Sequence, residues 1–366
     1  PRACIGRTKT DSMSVDFTMI DSNDDLAALV ARLCEVDVIS IDTEFARVKT
    51  YYPQLCLIQI ATPSLIACID CLSDMDLSEL WKIIYLENVE KVMHSCSQDL
   101  EIFFLANSKV PENIFDTQIA ASFIGYSSQV GFKELLENEL NVRIDKSQTR
   151  SDWSKRPLAN AQLQYAFEDV EDLIELSSSI KDKLIKLERY DWVIEECNDL
   201  TYKKTGLMDT SNAWKRTKGI NKLKSSQRTI GSQLSEWREE KAALKDIPRK
   251  WLIQDQDIIT VSKINVTKKE LERIIRNRHF NNNDLDEVYE IINNPNDIFS
   301  NIARPPRRKR INDNDLNLVN EYLESKSQDL EINKEILASK KDIIHFISER
   351  DGKICKGWRR AMMFED

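Results

Sequence analysis

Val38–Ile–Ser–Ile–Asp–Thr–Glu–Phe45 is the stretch whose reading decides the fold. Val38, Ile39 and Ile41 are β-branched, which suits a strand, and a strand sends alternate side chains to one face. Asp42 and Glu44 therefore leave the same face at its C-terminal end. Two carboxylates a few ångströms apart repel, and each raises the other's pKa unless a cation lies between them. A D-x-E pair so placed is either a metal site or an exposed loop end, and the rest of the chain has to decide.

Outward from that strand the patterns are regular. A helix is predicted over 24–34, with Asp21–Ser–Asn23 as capping material. Strands over 55–61 and 65–70, separated by Thr62–Pro–Ser64, join 38–44 in an antiparallel meander. A helix over 77–86, a strand over 89–94 and a helix over 98–105 follow. Short helices over 118–124 and 133–140 then lead to a long amphipathic stretch over 158–187. Strand and helix alternating after a meander predict a mixed sheet with helices packed on it. Beyond about residue 200 strand patterns almost vanish, so a boundary is expected at 195–215. Asn293–Asn–Pro–Asn296 and Arg304–Pro–Pro306 are breakers that divide the helical half into bundles at 216–298 and 311–366.

Composition narrows the function classes. The 366 residues, 41% of them hydrophobic, suffice for two or three domains, and 8 Gly with 9 Pro leave little room for low-complexity sequence. There is no apolar run of about 18 residues and hence no membrane span. Residues 1–12, ahead of Met13, are expected to be a leader or an expression remnant. The 8 Cys are scattered, which fits a reducing, cytosolic setting. Cys68–Ile–Asp–Cys71 lacks a second ligand pair and reads as two half-buried thiols at a strand end. A net charge of −9 argues against a nucleic-acid binder taken whole. Its distribution argues differently, with basic runs at 215–224 joined by Arg228, at 304–310, and at Lys353, Lys356, Arg359 and Arg360. Trp214, Trp237 and Trp251 lie at helical spacings from apolar neighbours and read as core.

Further carboxylates stand at two places. In His94–Ser–Cys–Ser–Gln–Asp–Leu–Glu101, Asp99 occupies the first turn of a helix after a strand, where strand ends gather in an α/β sheet. In Tyr165–Ala–Phe–Glu–Asp169, Tyr165 and Asp169 share a helix face. Singly these are weak, since an acid at a helix start usually serves the macrodipole. Together Asp42, Glu44, Asp99 and Asp169 offer hard oxygen ligands for Mg²⁺ or Mn²⁺. Two such ions about 4 Å apart can hold a water on one side of a phosphodiester and the leaving oxygen on the other. Tyr165 would orient that water.

Asp42–Thr–Glu–Phe45, His94–x–x–x–Gln–Asp–Leu–Glu101 and Tyr165–x–x–x–Asp169 resemble the three exonuclease motifs of the DEDD superfamily, tyrosine subclass. Tyr51–Tyr–Pro–Gln–Leu–Cys–Leu–Ile–Gln59, Asp116–Thr–Gln118 and Asp145–Lys–Ser–Gln–Thr–Arg–Ser–Asp–Trp153 narrow the resemblance to ribonuclease D. Ile247–Pro–Arg–Lys–Trp–Leu–Ile253 resembles the core of an HRDC module. Ile336–Leu–Ala–Ser–Lys–Lys341 and Gly357–Trp–Arg359 resemble a second.

The resemblance implies an α/β ribonuclease-H-like exonuclease domain over 13–200, then two all-α HRDC bundles at 216–298 and 311–366. It implies a metal-dependent 3′–5′ exoribonuclease that trims precursor tRNA and other small structured RNAs to 5′-nucleoside monophosphates; a monomer is expected, although no residue pattern decides it. Asp42, Glu44 and Asp169 would hold one metal, Asp42 would bridge to a second with help from Asp99, and Tyr165 would bond the attacking water. The rivals are a DNA exonuclease of the same superfamily and a catalytically silent RNA-binding protein. His94 reads as structural, and Phe45 either stacks on a terminal base or packs in the core. Asp116, Lys146, Arg150 and Asp152 either touch phosphate, Arg150 first among them, or stitch a loop to the sheet.

Overall fold

The computed structural model describes residues 16–144, 151–204, 210–275, 277–296 and 312–364. The proposed leader, Lys146, Arg150 and the basic run at 304–310 lie outside the described residues. Six strands form one sheet in the order β1-β4-β3-β2-β5-β6. They are β1 (Asp16–Ile20), β2 (Val38–Ala46), β3 (Gln54–Thr62), β4 (Leu65–Asp70), β5 (Glu90–Met93) and β6 (Ile114–Asp116). β2, β3 and β4 are the antiparallel meander expected from their short turns, with Thr62 Oγ1 accepting from the backbone N–H of Ser64 and Leu65 in the β3–β4 turn. β1, β5 and β6 join it in parallel. β6 is three residues long, too short to show a period of two.

The sheet buries both faces. Ile39, Ile41, Ile58, Ile60 and Ile69 face α1 (Asn23–Leu33), α2 (Ser78–Ile84) and α3 (Ser97–Asn107) through Leu29, Leu80, Leu100 and Phe103. Ala61 and Ile66 meet Val170, and Leu57 and Cys68 meet Tyr165 and Ala166, on α6 (Asn160–Glu171). The stretch predicted as one helix over 158–187 is two, because the chain turns at Asp172 between α6 and α7 (Leu173–Lys186). α4 (Thr117–Ser122), α5 (Phe132–Leu140) and α8 (Tyr190–Lys204) complete this layer.

The chain divides into two compact units. The sheet and its helices share the first with residues 311–366; the second comprises 47–53 and 208–310. Within the first, α14 (Asp313–Asp329), α15 (Lys334–Leu337), α16 (Lys340–Glu349) and α17 (Gly357–Phe364) send Leu323, Ile336 and Trp358 into a core with Phe115, Phe123 and Leu184. Trp358 stacks on Trp192 at 4.8 Å between ring centres. Arg359 is buried and donates to Glu196 and to the carbonyls of Ile336 and Leu337. Arg359 is therefore structural, not part of an exposed basic face.

The second unit is built around α9 (Ser225–Leu244), with α10 (Arg249–Leu252), α11 (Asp255–Val261), α12 (Lys268–Ile274) and α13 (Asn282–Asn293). Its core holds Leu234, Trp237, Leu252, Ile258, Leu271 and Val288. Arg238 lies within it and donates to the Ile253 carbonyl, Asp255 and Thr217. Tyr51 donates its hydroxyl to Glu239 at 2.8 Å, and Asp246 accepts from the backbone N–H of Tyr51 and Tyr52. Of the basic run at 215–228, Arg228 is buried and Arg216 pairs with Glu239; Lys215, Lys218, Lys222 and Lys224 stay exposed. Among the described residues no helix is long and apolar enough to cross a membrane.

Candidate active site

The site forms where β2 ends under α6. Ser40 donates its hydroxyl to the Val170 carbonyl at 2.9 Å, which fixes α6 over the face of β2 that carries Ser40, Asp42 and Glu44. Asp169 precedes Val170 on that helix. One carboxylate oxygen from each of Asp42, Glu44 and Asp169 lies within 4.8 Å of the other two. A register shift between β2 and β3 falls between Glu44 and Phe45, an irregularity of the kind that re-aims side chains beside active sites. Tyr165, one turn before Asp169, is buried with its ring tilted against Trp153 at 6.1 Å.

Trp153 is held by Arg156, which donates to the Trp153 carbonyl, to the Cys56 carbonyl on β3 and, with two nitrogens at 2.6 Å, to Asp70 at the end of β4. The loop carrying Trp153 is thereby clamped to two strands beneath Tyr165. Asp99 stands buried in the first turn of α3, as its position after a strand predicts, and accepts from the Thr43 hydroxyl at 2.5 Å. It is outside the three-carboxylate group but close enough to act on it.

Electrostatics set this cluster apart. Burial, then Asp99, Asp169 and Glu44, push the Asp42 carboxyl well above the ordinary carboxylate range. Burial, then Asp169 and Asp99, push Glu44 up to about 9. Burial raises Asp99 to about 6 against the opposing Thr43 hydrogen bond. Such a group is either protonated or neutralised by a bound cation. Half-buried carboxylates with no thiol among them are the donors a hard divalent ion takes. Opposite Asp42 across the β2–β3 register lies Gln59, fully buried, whose amide oxygen and nitrogen have no partner among the described residues. Directly opposed residues share a face, so this amide stands on the same face of the sheet as Asp42.

The remaining sequence candidates are placed as follows. His94 pairs through Nδ1 with the Thr117 hydroxyl at 3.0 Å and packs on Phe132, in keeping with a structural role. Asp116 accepts from the backbone N–H of Ser95, Cys96 and Gln118, so it stitches loop to sheet. Asp152 accepts from Ser154 within its own turn. Phe45 is half-buried. Cys68 and Cys71 are free thiols raised to about 12 by burial. Sequence reasoning missed Gln59 and the Arg156–Asp70 clamp. Only the first left a signal, a lone amide in the apolar run Leu55–Cys–Leu–Ile–Gln–Ile–Ala61.

Comparison with known proteins gives a consistent result. A family profile described as 3′–5′ exonuclease matches residues 17–185. The chain is 32% identical over 361 residues to a ribonuclease D of Jannaschia, covering 95% of this chain and 93% of that protein. It is 32% identical to a ribonuclease D of Shewanella over 365 residues, covering 95% and 92%. The crystal structure of Escherichia coli RNase D, described as an exoribonuclease involved in structured RNA processing, shares the fold with a TM-score of 0.81 at 24% identity, over 95% of this chain and 96% of that one.

Proposed function

The chain belongs to the ribonuclease D family of 3′–5′ exoribonucleases, and on that premise we propose that it trims the 3′ ends of precursor tRNA and other small structured RNAs. Asp42, Glu44, Asp99 and Asp169 are the proposed holders of two divalent ions, Mg²⁺ or Mn²⁺, and Tyr165 completes the set of catalytic residues. The observation that carries this reading is the approach of Asp42, Glu44 and Asp169 to within 4.8 Å of one another, one turn from Tyr165. When bound, the ions supply Lewis-acid activation and offset charge on the phosphate.

The chain's own residues do the rest. Asp42 and Glu44, fixed on one strand face, and Asp169, fixed by α6, keep the ligand oxygens converged without reorganisation during turnover. Tyr165 accepts or donates a hydrogen bond at its hydroxyl to align the attacking water with the terminal phosphodiester. Trp153 limits the ring's freedom, so the hydroxyl stays aimed. Water adds to phosphorus, the bond to the penultimate 3′ oxygen breaks, and that oxygen takes up a proton. The products are a 5′-nucleoside monophosphate and an RNA one residue shorter.

The test is a gel assay on 5′-labelled RNA with a free 3′-OH, in Mg²⁺, in Mn²⁺ and in chelator, with single-stranded DNA run alongside. A metal-dependent ladder shrinking from the 3′ end of RNA is expected. A folded protein that binds RNA but yields no ladder in either metal would overturn the reading.

A further inference from the structure

The second unit contains a built cavity that the reaction above does not use. Its volume is about 380 Å³, within the range of small-ligand sites. It opens between α10, α11 and the turn after α12. In Ile247–Pro–Arg–Lys–Trp–Leu–Ile253, Leu252 and Ile253 turn into the core while Trp251 stays half-buried and Lys250 exposed. Trp251 is thus not the core residue its spacing suggests. It lies against His279, ring centres 5.1 Å apart and planes 23° from parallel.

The turn that presents His279 is locked from several sides. Asn277 donates its amide to the Leu252 carbonyl at 2.6 Å and accepts from the His279 backbone N–H at 2.8 Å. Lys245 donates to the His279 carbonyl at 3.0 Å. Arg278 Nε lies 3.0 Å from His279 Nε2 and donates to it, which makes that imidazole nitrogen an acceptor. A site held this way pays little ordering cost on binding. Ile274 and Ile275 supply an apolar floor, Lys250 and Arg278 a cationic rim, and Asp257 one acceptor. An aromatic wall, an apolar floor and a cationic rim together match a planar base carrying a phosphate.

We propose that the cavity formed by Lys250, Trp251, Asp257, Ile274, Arg278 and His279 seats one unpaired nucleotide of RNA, its base against the aromatic pair and its phosphate on Lys250 and Arg278. This rests on RNA being the substrate class. Asp257 then accepts from an N–H on the base edge. The site adds a contact with single-stranded RNA that is separate from the carboxylate cluster and needs no metal.

The test is equilibrium binding of fluorescein-labelled single-stranded RNA to the full chain in chelator, which stops hydrolysis. Trp251→Ala is expected to weaken binding about 10-fold, as loss of one stacked base does. Trp251→Phe, which keeps a ring, should stay within about 3-fold. Arg278→Ala, at an exposed position, should reduce the salt slope by about one. Circular dichroism checks that each variant is folded, and Arg278→Ala carries the test should Trp251→Ala unfold. Wild-type affinity and salt slope in folded Arg278→Ala, with wild-type affinity in any folded Trp251→Ala, overturns the proposal. The wild-type ladder separates the two failures: with the ladder present only the cavity proposal falls, and with neither ladder nor binding both fall.

Discussion

Glu196 and Glu44 are carboxylates withdrawn from water within the same unit, and their surroundings push them in opposite directions. At Glu196, on α8, burial would raise the pKa. The Arg359 guanidinium and the Lys353 ammonium outweigh it and hold the group at about 2. Trp358 adds an indole N–H at 3.1 Å and Lys353 Nζ stands at 2.9 Å. At Glu44 burial acts the same way, but the strongest neighbours are Asp169 and Asp99, and the group rises to about 9. One carboxylate is a latch between α8 and the C-terminal helices. The other stands in a cluster that repels itself unless a proton or a cation neutralises it. Carboxylates perturbed in the second way cluster at functional sites.

The largest effect expected is on the repelling cluster. Asp42→Ala removes the carboxylate that faces both Glu44 and Asp169, and the 3′–5′ ladder should slow by more than about 10³-fold, as loss of a preorganised charged group does. Turnover within tenfold of wild type would erase the functional half of the contrast. The latch should fail differently. Glu196→Gln leaves buried Arg359 without its counter-charge, and unfolding in denaturant should show a loss of about 3 kcal/mol. An unchanged midpoint would mean that the carbonyls of Ile336 and Leu337 alone satisfy the guanidinium.

Tyr165→Phe tests a finer point inside the cluster. It keeps the ring against Trp153 and removes only the hydroxyl, so turnover should fall about 10²-fold. Calorimetric metal binding should stay as in the wild type, since no carboxylate is touched. A parallel loss of metal binding would move Tyr165 from aligning water to holding the site together.

Much of this contrast could be read from residues in order. The meander, Asp99 in the first turn of α3, the shared strand face of Asp42 and Glu44 and the shared helix face of Tyr165 and Asp169 follow from short-range pattern, since periods of two and four place side chains on faces. That Asp169 joins Asp42 and Glu44 is implied only by the resemblance to the exonuclease motifs. What the sequence hid depends on partners far away in the chain. Arg359 looks like part of a basic face until Glu196 is seen beside it, and Arg216 until Glu239 is. Gln59 becomes meaningful only once register sets it opposite Asp42. Trp251 has apolar neighbours at core spacing, yet a four-residue helix turns it outward while Leu252 goes in. The break at Asp172 lay inside an unbroken amphipathic pattern, where no Pro or Gly marks it.

A pH profile of stability measures the contrast directly. In metal-free protein Glu44 goes from an ordinary 4.5 to about 9 on folding, so its contribution is fully present below about pH 4.5 and is lost as pH rises through about 9. Glu196 falls from 4.5 to about 2, so its contribution is present above about pH 4.5 and is lost as pH drops through about 2. Chelated protein should therefore lose thermal stability steadily between about pH 5 and pH 9, although the latch is intact throughout. Saturating Mg²⁺ or Mn²⁺ binds the folded state and should restore the midpoint near pH 8 by about 2–4 °C for each ~1 kcal/mol of linkage. Near pH 5 protons compete with the ion and the gain should shrink. Asp42→Asn sharpens the reading, because relief of repulsion should raise the metal-free midpoint near pH 8 above that of the wild type while abolishing most of the metal's effect. A flat metal-free profile with no shift on adding either ion would mean that the carboxylates do not repel. Glu44 and Glu196 would then differ in neighbours but not in kind.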